Sequence, residues 1–261
     1  MNQILYQVDA FADNPFEGNP AAVCPLQRWL TDEMMQSIAM ENNLSETAFF
    51  VPTETGYHIR WFTPTMEVDL CGHATLASAH VLFNIIGYKR DEIVFKSRSG
   101  ILTVKKKDEW LVMDFPSQPP APCHMPVEIA KAFRNKPAQC LKSEDYLVVF
   151  NSEEDILSAE PNLADLKNLD LRGVIITAVS THYDFVSRFF APNHGIPEDP
   201  VTGSAFTQLA PYWSEQLGKT IFFARQVSSR GGDVKCELAG DRVLIAGKAI
   251  TYLEGRIQVN I

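Results

Sequence analysis

Arg60-Trp61-Phe62-Thr63-Pro64, with Gly72-His73-Ala74 close behind it, decides the reading of this chain, because both blocks occur a second time. Arg188-Phe189-Phe190-Ala191-Pro192 echoes the first at an offset of 128 (188 − 60), and Gly203-Ser204-Ala205 echoes the second at 131 (203 − 72). The register continues downstream: Gly87 meets Gly218 at 131, and Ser97-Arg98-Ser99-Gly100 meets Ser229-Arg230-Gly231-Gly232 at 132. Matched blocks in one order, drifting by a few inserted residues, predict a duplicated fold with a pseudo-twofold axis and a cleft between its halves.

Each half reads as a sheet around one helix. Ala74 to Ile86 contains no Asp, Glu, Lys or Arg, which predicts a helix buried on all sides. Its counterpart, Ala205 to Leu217, carries one charged residue, Glu215, and Pro211, which should kink or shorten it. Runs rich in β-branched and aromatic residues predict strands over 4–9, 47–51, 58–63, 93–95, 101–105 and 110–115, then 221–223, 234–238 and 243–246. Thr31 is a candidate cap for a helix with Asp32 and Glu33 in its first turn. The expected fold class is α+β, with two pseudo-symmetric lobes, each a mostly antiparallel, barrel-like sheet wrapped around a central helix. The lobes are assigned to 1–116 and 127–249, with the proline-rich stretch 117–126 as linker. The last strand, within 250–261, is a candidate to cross back to the first lobe.

The 261 residues are 46% hydrophobic and 21% charged, enough for a sizeable core. A net charge of −9 and a pI of about 5.2 argue against nucleic acid as a partner, while leaving room for a small anion held by local donors. The amino terminus has neither a basic leader nor a long apolar run, and no segment approaches a membrane span. Five dispersed cysteines without a C-x-x-C pair suit reduced thiols, so a cytoplasmic protein is expected.

Gly72-His73 and Gly203-Ser204 precede the central helices, where backbone N–H groups lack intrahelical partners and the dipole is positive. Two such ends facing one cleft would hold a carboxylate; the plainer reading is helix-entry glycines with His and Ser as caps. Asp69 and Asp199 stand a few residues upstream of each glycine. Glu46 opens a strand amid apolar and small residues, either as a carboxyl whose pKa is raised for proton transfer or as a surface glutamate. His73 alone among six histidines adjoins a repeat glycine, and a helix N-terminus would keep it neutral. Cys71 reads as an acidified thiol or as a small buried side chain; its counterpart is Thr202. No histidine or cysteine spacing suggests a metal, and the phosphate-loop, dinucleotide and nucleophile-elbow motifs are missing, which leaves cofactor-free proton transfer.

Gly18-Asn19-Pro20, Ser45-Glu46-Thr47-Ala48-Phe49, Arg60 to Pro64, Asp69-Leu70-Cys71-Gly72-His73-Ala74-Thr75 and Glu198-Asp199-Pro200-Val201-Thr202-Gly203-Ser204-Ala205 together resemble the PhzF family of phenazine-biosynthesis-like isomerases, in order and over nearly the whole length. The resemblance implies the two-lobed fold shared with diaminopimelate epimerase and proline racemase. It implies Glu46 as catalytic acid/base, His73 and Asp199 as orienting or relaying groups, and Gly72, Gly203, Ser204, Cys71 and Asn19 as substrate-binding residues. It further implies a small carboxylate substrate, with a dihydro-hydroxyanthranilate as a candidate, no metal or cofactor, and a homodimer. Related epimerases place a cysteine before the glycine of each lobe; with Thr202 at the second position, a one-base shuttle through Glu46 fits better than a two-thiol mechanism. Two other readings stay open: a one-thiol racemase or epimerase of an amino or imino acid, and a non-enzymatic metabolite-binding protein.

Overall fold

Parallel strands need a crossover long enough to hold a helix, and helices lie between the parallel pairs of this chain. The computed structural model describes residues 2–258, and the chain divides into two compact units: residues up to Asp114 together with those from Ala246 onward, and Phe115–Ile245. In the first unit Asn19–Pro25 runs parallel to Glu46–Pro52, which is antiparallel to Tyr57–Phe62. Tyr57–Phe62 then pairs parallel with Glu92–Ser97, which is antiparallel to Gly100–Lys107. The second unit repeats the series with Tyr146–Val149, Val174–Val179, Phe185–Ala191, Ile221–Gln226 and Gly232–Ala239, again alternating parallel and antiparallel. The duplication legible in the motifs is therefore written into the strand pairing as well. Helix Asp32–Asn42, with the Thr31 hydroxyl accepting from the Met34 N–H, fills the first crossover. Short helices Glu153–Leu157 and Leu163–Leu166, which the sequence reading did not anticipate, lie in its counterpart.

The final strand, Ala249–Gln258, lies antiparallel to Asn2–Ala10 and so belongs to the first unit; the remainder of the stretch 250–261, residues 259–261, falls outside the described residues. The stretch 117–126, expected to be a linker, is instead built into the second unit. Its non-proline N–H groups explain why: Ser117 donates to the Asp241 carbonyl at 2.8 Å and Cys123 to that of Cys140 at 3.0 Å, while Ala121–Pro122 pairs with Gln139–Lys142.

In the first unit the central helix is Gly72–His80, every side chain from His73 to His80 buried. The Thr75 and Ser78 hydroxyls bond back to the carbonyls of Cys71 and Ala74 at 2.6 and 2.7 Å, which is how polar side chains survive in this dry setting. The helix continues as a π-helical turn, Val81–Ile86, and stops at Gly87 with φ 78°. The expectation of burial on all sides fails in that turn, where Asn84, Ile85 and Ile86 are exposed. In the second unit a 3₁₀ turn, Gly203–Ala205, leads into helix Phe206–Leu217. Pro211 does not end that helix. A proline at 211 leaves the Thr207 carbonyl without its intrahelical donor, and the Gln118 N–H supplies one at 3.0 Å. Trp213 then anchors the helix by stacking on Phe185 (5.4 Å, 7°) and donating its indole N–H to Thr177 Oγ1 at 3.1 Å. Among the described residues, no helix is long and apolar enough to cross a membrane.

Candidate active site

Asn19 and Glu46 each open a strand, and the two strands run parallel with Ala21 opposite Glu46, so both side chains emerge at one end of the sheet. Cys71 holds the N-cap of the central helix in an extended conformation (φ −145°), which sets Gly72 and His73 in the first turn. These elements gather Asn19, Glu46, Cys71, Gly72 and His73 in one place. His73 Nε2 lies 3.2 Å from Glu46 Oε2, with side-chain exposures of only 8% and 13%. On the other side of the ring, Nδ1 is 3.3 Å from the Asn19 amide nitrogen and 3.6 Å from Cys71 Sγ.

Burial pushes the His73 pKa down to about 3, so the ring is neutral at physiological pH. An amide nitrogen only donates, so Nδ1 accepts from Asn19 and the ring proton sits on Nε2, the nitrogen nearer Glu46 but not aligned for a hydrogen bond to it. The result is a carboxylate beside a neutral imidazole in dry surroundings, a pairing suited to taking a proton from carbon and returning it. One donor atom each from Glu46, Cys71 and His73 lie within 4.8 Å of one another. Among the described residues, this is the grouping that could coordinate a metal ion, and no sequence spacing announces it.

The second unit brings together Asp199, Gly203 and Ser204 with groups the sequence reading missed. Asp199 Oδ2 accepts from the Thr202 hydroxyl. Buried Gln226 ties the same loop down, donating to the Asp199 carbonyl at 2.7 Å and accepting from the Thr202 N–H at 2.8 Å. Ser204 Oγ accepts from Arg172 Nη2 at 3.1 Å. Arg172 is itself forked onto Asp145, at 2.9 Å through Nε and 2.5 Å through Nη2, and Gln208 of the central helix donates to that carboxylate at 3.1 Å. Asp145 and Gln208 are fully buried. The Arg172 guanidinium also lies over the Phe189 ring, 5.3 Å from its centroid.

Asp69, which stands upstream of Gly72 as Asp199 does of Gly203, is exposed and 3.9 Å from Arg98. His73 and Ser204 do not cap their helices; Cys71 and Thr202 occupy the cap positions, and neither makes a side-chain cap bond. No repeated block marks Arg172; the strand register of the fold is what places it. Thr47 faces Phe62 and Val174 faces Phe190, and Phe62 and Phe190 are repeat mates. Glu46 therefore corresponds to Gly173, and Arg172 stands one residue before it. A Cβ at Gly173 would meet Phe189 Cζ at 2.5 Å and the Phe190 carbonyl oxygen at 2.8 Å, so that position has no room for a side chain.

Over residues 8–255 the chain matches PhzC-PhzF, the phenazine biosynthesis-like protein family. It is 52% identical over 259 residues to an uncharacterized isomerase of Pseudomonas aeruginosa, covering 99% of this chain and 100% of that protein. The crystal structure of a PhzF-family phenazine biosynthesis protein from Enterococcus faecalis matches with a TM-score of 0.97 at 46% identity, covering 99% of this chain and 100% of that one. A predicted epimerase from Pseudomonas aeruginosa, 20% identical with a TM-score of 0.76 and coverage of 99% and 100%, shares the fold.

Proposed function

The chain belongs to the PhzC-PhzF family of phenazine biosynthesis-like isomerases, and we propose that it moves a proton within a small carboxylate-bearing metabolite without a cofactor. The observation that carries this reading is the Glu46 carboxylate 3.2 Å from a buried, neutral His73. Glu46 takes a proton from a C–H bond, the electron pair spreads into the conjugated system of the substrate, and the protonated Glu46 returns the proton at another carbon. Base and charge are thereby restored. His73, steadied by Asn19, stands 3.2 Å from the Glu46 carboxylate and limits the directions it can take. In the first unit the N–H groups at Gly72 and His73, and in the second those at Gly203 and Ser204 with the Ser204 hydroxyl, are donors suited to a substrate carboxylate, and Asp199 orients the substrate. A homodimer in the cytoplasm belongs to the same proposal, and sedimentation of the purified chain checks its assembly.

The test is incorporation of solvent deuterium during turnover of a dihydro-hydroxyanthranilate, followed by proton NMR. Glu46→Gln should slow incorporation by about 10²- to 10⁴-fold, the usual contribution of a positioned general base; incorporation at the wild-type rate would remove Glu46 from the mechanism. One observation favours a second reading: Cys71 Sγ is 3.6 Å from His73 Nδ1, so a thiol adjoins the same acid/base pair. A one-thiol racemase of amino or imino acids would lose activity when Cys71 is alkylated yet keep it in Glu46→Gln. A metabolite-binding protein without activity would bind carboxylates and exchange no C–H proton.

A further inference from the structure

At the entry of matching strands the two units carry opposite charges toward matching residues. In the first unit Glu46 reaches His73, the residue after the helix-entry glycine. In the second, Arg172 reaches Ser204, the residue after the corresponding glycine. The glutamate's own counterpart is Gly173, which cannot bear a side chain, so the second unit has no base there.

Arg172 is held more firmly than a surface ion pair requires. Two bonds fix it to a carboxylate with no solvent exposure, Gln208 completes that carboxylate, and the Phe189 ring lies against the guanidinium. Only the carboxylate of this pair is fully buried, the Arg172 side chain being 32% exposed, and desolvation of that carboxylate offsets much of the attraction. What the arrangement does achieve is direction. A guanidinium only donates, so Ser204 Oγ serves as acceptor toward Arg172 and its own O–H points away from the guanidinium, left to donate elsewhere. The cation behind the oxygen also makes that O–H a stronger donor.

We propose that Arg172, anchored by Asp145, is a positioning residue that orients and polarises the Ser204 hydroxyl as a donor to the ligand carboxylate. This rests on the carboxylate reading above and adds the residues that give the second unit its preference for an anion. Glu144, 3.3 Å from Arg172 Nη1, occupies the outer edge of the guanidinium, so Arg172 acts through Ser204 and not as a direct ligand contact.

The probes are anthranilate and its neutral isostere 2-aminobenzamide, titrated by calorimetry into wild type, Arg172→Gln, Arg172→Lys, Ser204→Ala and the double variant Arg172→Gln/Ser204→Ala. Wild type should prefer the carboxylate, and Ser204→Ala and Arg172→Gln should each cut that preference by about tenfold, the scale of one charge-assisted hydrogen bond. The double variant should lose no more than Ser204→Ala alone, since one residue works through the other. Arg172→Lys, which keeps the charge and loses the fork, should fall between wild type and Arg172→Gln, and it serves as the test if Arg172→Gln does not fold. A purely structural role would weaken both probes alike and leave their ratio unchanged, which overturns the proposal, as would additive losses in the double variant. If wild type shows no preference, or Ser204→Ala keeps it whole, the carboxylate reading falls first and this inference with it.

Discussion

The two units are built alike and equipped differently. In the hairpin strands Arg60 forks onto Glu67 at 2.6 and 2.7 Å and lies over Phe62 at 5.2 Å; Arg188 forks onto Glu198 at 2.7 and 3.0 Å and lies over Phe190 at 5.1 Å. Duplication has been kept here down to side-chain geometry. At the strand entries and helix starts it has not. The first unit sets a carboxylate against a neutral imidazole and a thiol, a dry arrangement in which protons can move. The second sets a guanidinium between a fully buried carboxylate and a hydroxyl, an array of directed hydrogen bonds. The scaffold contacts hold each hairpin together in the same way, whereas the residues at these ends set the chemistry and differ between the two copies.

Removing Glu46 should affect activity most. After it, the comparison predicts that Asp145→Ala is the most destabilising change at either site, about 3 kcal/mol, because it leaves a partly exposed guanidinium and a buried amide without their acceptor. Glu46→Gln, leaving a neutral pair, should cost well under half of that, roughly 1 kcal/mol; urea unfolding of both variants measures the contrast, and equal losses would erase the distinction between a fixed charge and a mobile proton.

An effect of intermediate size concerns acid. Burial holds His73 at about 3 and His80 at about 4, below the usual histidine value, so between pH 6.5 and these values the unfolded chain binds protons that the folded chain refuses. Stability in this window must therefore fall as pH falls. Lowering pH from 6.5 to 5 should cost on the order of 2 kcal/mol for His73 alone, and His73→Asn should flatten the slope of unfolding free energy against pH. An unchanged slope would mean that the ring is not dry.

The smallest effect is expected at Cys71. With Glu46 as the base, Cys71→Ser should change the rate of deuterium incorporation by roughly tenfold or less. A loss as large as that of Glu46→Gln would move the mechanism to the thiol.

Much of this was legible in one dimension. Repeat spacing located the helix-entry glycines, and with them His73 and Ser204; the composition around Glu46 marked it as unusual for a strand start. Asp145 and Arg172 were not legible, since their contacts bridge 27 and 32 residues and neither stands in a repeated block. The partner that lets the helix run on past Pro211 was not legible for a similar reason: the carbonyl the proline frees is satisfied by Gln118, far away in sequence. The exposed turn at Asn84–Ile86 was misread because an apolar composition reports only average burial and does not say where a helix leaves the core.

Read alone, the chain established that one module occurs twice, which helix starts expose backbone donors, and that the two copies differ at the residue beside each glycine. These properties are local, set by periodicity and by backbone groups that every residue carries. Folding decided which charge each copy sets against its helix start, how the imidazole is protonated, and which buried carboxylate steadies Arg172. Desolvation and hydrogen-bond direction depend on side chains that are distant in sequence and become neighbours only in three dimensions.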